Sequence, residues 1–273
     1  MFCPEFIIFL LNIMAVIILF VSIAGLFIGS FLNVLIDRLP KGEDVIFGRS
    51  RCDHCRRTLR WYELIPVLSF IIQKGRCLKC NKKLSVQYPL VELATACMYI
   101  SIYYAYQNDS LVTYEHFISM LLWIVLASCM LVIFLSDLKY QIIPDSMVLI
   151  AGISAILIQL YSIGIKAVIG NYFPAALASF VFFYLIWIIT RHKGMGFCDV
   201  KLSFVIGLLL GYPLTIVAIY IAFLTGAIAG VILILTGKKN LKSRIAFGPF
   251  LVIGTLIAKL FSFTILHIWQ SIM

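Results

Sequence analysis

Charge is scarce in this chain. Only 12% of its 273 residues are Asp, Glu, Lys or Arg, roughly half the share expected of a soluble domain. Together with 63% hydrophobic residues and a mean hydropathy of +1.06, that scarcity excludes a water-soluble globular domain. The signals of a removable leader are also lacking. No basic residue precedes the first apolar stretch, Phe6 to Ile36, and no small-residue cleavage site follows it, so the stretch is expected to be retained as a span. What the chain does have is apolar runs long enough to cross about 30 Å of hydrocarbon, repeated along nearly its whole length. The expected fold class is an all-α polytopic membrane protein.

About eight transmembrane helices are expected, near 6–28, 90–106, 117–136, 146–164, 172–190, 202–211, 213–236 and 247–269. Gly211-Tyr212-Pro213 marks a turn between the short sixth and the seventh. The basic residues test this arrangement. Segment 37–88 holds 12 of the 22 Lys and Arg, and the eight-span order puts 20 of them on one face. Such asymmetry marks the cytoplasmic side. Both termini are therefore expected outside the cytoplasm, with the 37–88 loop inside it. The net charge of +10 reflects this topology and the lipid bilayer, and requires no nucleic acid. Three parts follow: a first span (1–36), a cytoplasmic loop domain (37–88) and a membrane-embedded core (89–273).

The loop carries Cys52-Asp53-His54-Cys55 and Cys77-Leu78-Lys79-Cys80. Each C-x-x-C pair places two thiolates on one tight turn, and two such turns complete a tetrahedral zinc site. Four sulfur ligands leave no open position, so the zinc is expected to be structural. A reducing cytosol argues against disulfides. A redox-active thiol pair, or cysteines with neither role, are the alternatives. His54 reads as a solvated loop residue, and Cys3, Cys97 and Cys129 as small apolar residues in or near spans.

Two acids stand where acids are costly. Asp137 lies in S-D-L-K-Y-Q-I-I-P-D at the end of the third span, and Asp199 in G-M-G-F-C-D-V-K before the sixth. An ionisable residue at membrane depth is a candidate functional group. Two spans separate the pair, so the chain crosses twice and returns both acids to the same face. Close carboxyls share a proton, which supplies one base and one acid for peptide hydrolysis. The competing reading is that each acid caps a helix or pairs with the lysine two residues on, Lys139 or Lys201. Gly194 and Gly196 are expected to allow close backbone approach and unusual dihedrals beside Asp199. Asp145 reads as a helix N-cap, and Glu92 as either a cap or a site residue.

Ordered motifs along nearly the whole chain carry a resemblance. They are Gly29-Ser30-Phe31-Leu32-Asn33-Val34 with Arg38-Leu39-Pro40, the paired cysteines, and Tyr88-Pro89-Leu90-Val91-Glu92-Leu93-Ala94-Thr95-Ala96. The two aspartate motifs and Phe247-Gly248-Pro249-Phe250 complete the set. Together they resemble the type IV prepilin peptidases, leader peptidases of bacterial type IV pilus and type II secretion systems. The resemblance implies Asp137 and Asp199 as the catalytic pair, with Lys201, Gly194 and Gly196 in the surrounding motif. It also implies a prepilin or pseudopilin substrate, cleavage at the cytoplasmic face of the inner membrane, and N-methylation with S-adenosylmethionine. Cys198 stands where the family pattern has glycine, and the loop between Pro40 and Cys52 is short. Gly194-Met195-Gly196 lacks the strand context of a dinucleotide-binding fingerprint. Rival classes are a proton-coupled transporter, which predicts broken mid-membrane helices, and a non-enzymatic assembly scaffold.

Overall fold

The computed structural model describes residues 4–45, 47–52, 54–107, 114–191, 194–237 and 246–272. Cys3 and five of the 20 basic residues counted on one face, Lys193, Lys238, Lys239, Lys242 and Arg244, lie outside them. The described residues are mainly helical: α1 (Pro4–Arg38), α2 (Leu68–Ile72), α3 (Gln87–Gln107), α4 (Tyr114–Tyr140), α5 (Asp145–Ile163) and α6 (Ile165–Ala167). A π turn, Val168–Tyr172, leads into α7 (Phe173–Ile189). Then come α8 (Phe197–Leu210), α9 (Leu214–Leu235), α10 (Gly248–Leu260) and α11 (Ser262–Ile272). Two isolated antiparallel bridges, Arg51 with Thr58 and Arg76 with Lys83, supply extended pairing among the described residues. The chain divides into two compact units, Met1–Met120 and Leu121–Met273.

The all-α membrane class stands; the count of eight spans is not confirmed. Among the described residues, five helices are long and apolar enough to cross, within Met14–Lys41, His116–Tyr140, Asp145–Ile163, Ile165–Ile189 and Leu214–Leu235. A sixth is reached if α10 and α11, bent by 71°, form one span. The expected spans at 90–106 and 202–211 are helices that miss this test. With 14 residues, α8 is about 21 Å long, short of the hydrocarbon thickness. Ten of its 14 residues are buried, because it packs against α5, α7, α9 and α10. A helix buried on most of its surface is a core helix, packed chiefly by protein.

In the first unit the opening motif is a packing device. A side chain at Gly29 would stand 2.7 Å from the Cα of Glu92, and one at Gly25 would stand 2.6 Å from that of Ala96. Two glycines one turn apart therefore let α1 approach the backbone of α3. Buried Asn33 ties the helices together, donating from Nδ2 to the carbonyls of Tyr88 (3.1 Å) and Gly29 (3.3 Å). Glu92 is also buried and accepts the backbone N–H of Val67 at 2.7 Å. It thus serves the start of α2, not the start of its own helix. Val67 needs that support. Its φ of +59° and ψ of −50° form a γ-turn, with Leu68 N–H on the carbonyl of Pro66, a rare and strained geometry.

The second unit is built around α8. Gly207 lies against the backbone of Ala176 in α7, and Ser179 Oγ donates to the carbonyl of Ser203 at 2.9 Å. Gln159 of α5 donates to the carbonyl of Leu209 at 2.6 Å, satisfying one acceptor at the end of α8. The turn into α9 uses Gly211 at φ +66°. Asn171 clamps that turn, accepting the N–H of Tyr212 and donating to its carbonyl.

Candidate active site and candidate metal centre

The second unit holds both aspartates at helix ends. Asp137 occupies the last turn of α4, which ends as Gln141 enters the left-handed region at φ +55° and donates to the carbonyl of Asp137. Pro144 then leads directly into α5. Asp199 sits in the first turn of α8, three residues after its N-cap, Gly196. Both are buried, at 5% and 6% exposure, and the charge of Asp137 is felt at Asp199.

The two carboxyls are held differently. Asp137 Oδ2 accepts the backbone N–H of Gly248 at 2.9 Å, across 111 residues of sequence. The backbone of Gly196 also bears on Asp199, while its Oδ1 is buried without a hydrogen-bond partner. Beside the pair, the Ser136 hydroxyl is likewise buried and unpartnered. A buried carboxylate oxygen with an unused lone pair is an unusual expense in a folded protein, and it leaves room for a water or a peptide group.

Gly248 escaped the sequence reading as a site residue, although its Phe-Gly-Pro-Phe motif was visible. A Cβ there would fall 2.6 Å from Asp137 Oδ2 and 3.0 Å from Ile143 Cδ1, so glycine is required by the carboxyl itself. Gly196 has φ −77°, open to any residue. Its expected unusual dihedral is absent, and its contribution is space, since a Cβ would sit 3.5 Å from Asp199 Oδ2. A Cβ on Gly194 would press on Thr190 at 2.8 Å.

Two charge assignments need correction. Lys201 does not neutralise Asp199; its Nζ donates to Asp145 Oδ1 at 2.8 Å, from α8 to the start of α5. Asp145 is the first residue of α5 rather than its N-cap, which is Pro144, and no side-chain cap bond forms there. Lys139 lies 5.2 Å from the ring of Tyr140.

In the first unit the two C-x-x-C turns are near copies. Cys52 N–H donates to the carbonyl of Arg57 and Cys77 N–H to that of Lys82, both at 3.0 Å; Arg56 and Asn81 N–H return to Cys52 and Cys77, both at 2.9 Å. Arg56 and Asn81 both take positive φ, +51° and +56°. Each turn thus aims its backbone amides at its first cysteine. All four sulfurs lie within 4.8 Å of one another, with Cys52 to Cys80 at 3.9 Å and Cys55 to Cys77 at 4.0 Å. A tetrahedron of Zn–S bonds near 2.3 Å has edges of about 3.8 Å. The cysteines are free thiols. The backbone amides of Cys80 and Lys79 pull the Cys77 thiol down to about 6, whereas burial pushes Cys52 up to about 11. Metal binding requires the thiolate form of each cysteine, so occupancy of this cluster would be pH-dependent. His54 is exposed and outside the cluster. Glu63 braces the first turn, pairing with Arg57 at 2.5 Å and accepting the N–H of Arg60 at 2.8 Å.

Comparison with known proteins gives a consistent result. Residues 23–106 match the bacterial peptidase A24 N-terminal domain, and residues 124–231 match the type IV leader peptidase family. A prepilin leader peptidase/N-methyltransferase of Bacillus subtilis (strain 168) is 32% identical over 250 residues, covering 90% of this chain and 95% of the relative. A protein of that description from Legionella pneumophila is 29% identical over 281 residues, 91% of this chain and 93% of its own. One from Pseudomonas aeruginosa is 30% identical over 265 residues, 86% and 87%. No solved structure matches.

Proposed function

The chain belongs to the type IV leader peptidase family, and on that premise we propose that Asp137 and Asp199 are its catalytic pair. They cleave the leader from a prepilin or pseudopilin at the cytoplasmic face of the bacterial inner membrane. The observation that supports this reading is a pair of buried carboxyls at the end of α4 and the start of α8, within electrostatic reach of each other, one of them with an unpartnered oxygen.

Close carboxyls do not both ionise readily, so the pair holds one proton between them. The ionised member accepts a proton from water as the water oxygen attacks the scissile carbonyl. The protonated member donates to the carbonyl oxygen and then, through the pair, a proton reaches the departing amine. The Gly248 amide fixes Asp137 throughout. Burial excludes bulk water and strengthens each of these interactions.

The first span (1–36) and the core (89–273) carry the membrane function, and the 37–88 loop is the zinc-bearing cytoplasmic part. Cys52, Cys55, Cys77 and Cys80 would hold the metal, which when bound cross-links the two turns. S-adenosylmethionine, when bound, supplies the methyl group for the new pilin N-terminus. The transporter reading finds no support, since both acids stand at helix ends rather than at a mid-membrane break. The scaffold reading gives no reason to bury them.

Co-expression of a prepilin with wild type, Asp137→Asn or Asp199→Asn, at matched protein levels, tests this. Leader loss on a gel should occur with wild type alone. Leader loss with either variant would move the chemistry elsewhere.

A further inference from the structure

A hydroxyl buried in an apolar helix ordinarily turns back to a carbonyl of its own chain. Nine serine and threonine side chains are buried among the described residues. Seven of them donate to a carbonyl three or four residues back. Ser119 pairs with the Tyr106 hydroxyl. Ser136 alone has no partner, although its exposure is 0%. Its hydroxyl forgoes the carbonyl of Val132, the acceptor its helix offers four residues back.

Placement makes this exception informative. Ser136 immediately precedes Asp137 in the last turn of α4. Val132, Ile133, Ser136 and Asp137 are all buried, whereas Leu138 is 61% exposed. At 3.6 residues per turn the four buried positions share one face, so the hydroxyl and the carboxyl belong to the same buried side of α4. Donors around the aspartates are otherwise committed. The Gly248 amide bonds to Asp137, and Lys201 bonds to Asp145. Two carboxyls with one shared proton offer acceptors in excess, and a free hydroxyl supplies what they lack.

We propose that Ser136 donates a hydrogen bond to the carbonyl oxygen of the scissile peptide bond. The inference rests on the reading of Asp137 and Asp199 as the catalytic pair. As the water oxygen bonds to the carbonyl carbon, the carbonyl oxygen gathers negative charge. A fixed donor at that oxygen lowers the barrier in a site closed to bulk water. Ser136 keeps its own proton throughout. The proton taken from water still passes to the ionised carboxyl, and the departing amine still takes one from the pair as the C–N bond breaks. The bond strengthens only as charge develops, so it acts on kcat rather than on KM.

The test is steady-state prepilin cleavage by purified full-length protein in detergent, comparing wild type, Ser136→Ala and Asp137→Asn. Removing an unpartnered hydroxyl from a buried site is neutral or stabilising, so Ser136→Ala should keep or raise the thermal midpoint. Its kcat should fall about 10²-fold, the loss typical of one such donor, with KM within threefold. The pH profile of kcat should keep its wild-type shape, because the hydroxyl does not titrate in that range. A kcat within threefold of wild type, with Asp137→Asn inactive, would overturn the donor and leave the pair standing. A lowered midpoint accompanying the loss would make Ser136 a packing residue, and a displaced pH profile would make it a residue acting through a carboxyl; either overturns the proposal. Cleavage by Asp137→Asn at the wild-type rate would overturn the pair and this role together.

Discussion

Gly248→Ala is the sharpest small perturbation of the aspartate pair. The new methyl would stand 2.6 Å from Asp137 Oδ2, well inside van der Waals contact, and 3.0 Å from Ile143. The carboxyl is the softer neighbour, so it rotates away and loses the 2.9 Å bond from the Gly248 amide. A hydrogen bond to an ionised group contributes about 1.5–3 kcal/mol. Displacing a reacting group by about 1 Å costs about 10²-fold in rate, equivalent to about 2.7 kcal/mol at 1.36 kcal/mol per tenfold. Both routes give a loss of about two orders of magnitude. The assay is prepilin cleavage by purified enzyme under single-turnover conditions. Gly226→Ala is the control, since a Cβ there meets Phe247 and Phe250 at an ordinary 3.5 Å. Cleavage by Gly248→Ala within threefold of wild type would refute the claim that this amide positions Asp137.

Other outcomes follow from the same geometry. Purified protein should contain one zinc per chain by metal analysis, and Cys77→Ser should lose it; stoichiometric zinc in that variant would exclude the four-sulfur site. The Lys201–Asp145 pair is partly exposed, at 36% and 69% of the two side chains, where ion pairs contribute about 0–1 kcal/mol. Asp145→Asn and Lys201→Ala should therefore each keep cleavage within a few-fold, and a hundredfold loss in either would place that pair in the chemistry. Val67→Gly should relieve the strained γ-turn and raise the thermal midpoint; a lowered midpoint would mean that the valine side chain contributes more than its backbone costs.

Much of this architecture was legible because membranes impose simple rules. Apolar length located the helices, and the two C-x-x-C turns announced a four-sulfur cluster that is present to within 4.8 Å. Burial of Asp137 and Asp199 at helix ends agrees with their reading as costly acids. The failures share a cause: they depend on partners remote in sequence. The length rule presumes lipid around every apolar helix, whereas α8 is packed chiefly by protein and needs no full crossing. Lys201 looked like a partner for Asp199 two residues away, but bonds to Asp145, 56 residues back. Glu92 serves an amide 25 residues earlier, and Gly248 serves a carboxyl 111 residues earlier. No local pattern encodes such pairings, although the motifs holding these residues did mark where to look.

The central claim is that Asp137 and Asp199 act as one unit. Residues that share a single chemical step are not additive. The direct measurement is prepilin cleavage rate for Asp137→Asn, Asp199→Asn and the double variant, all purified with full zinc content. The account predicts that both single variants fall to the same background rate and that the double variant falls no further. Measurable cleavage by either single variant, with a further multiplicative loss in the double, would contradict it.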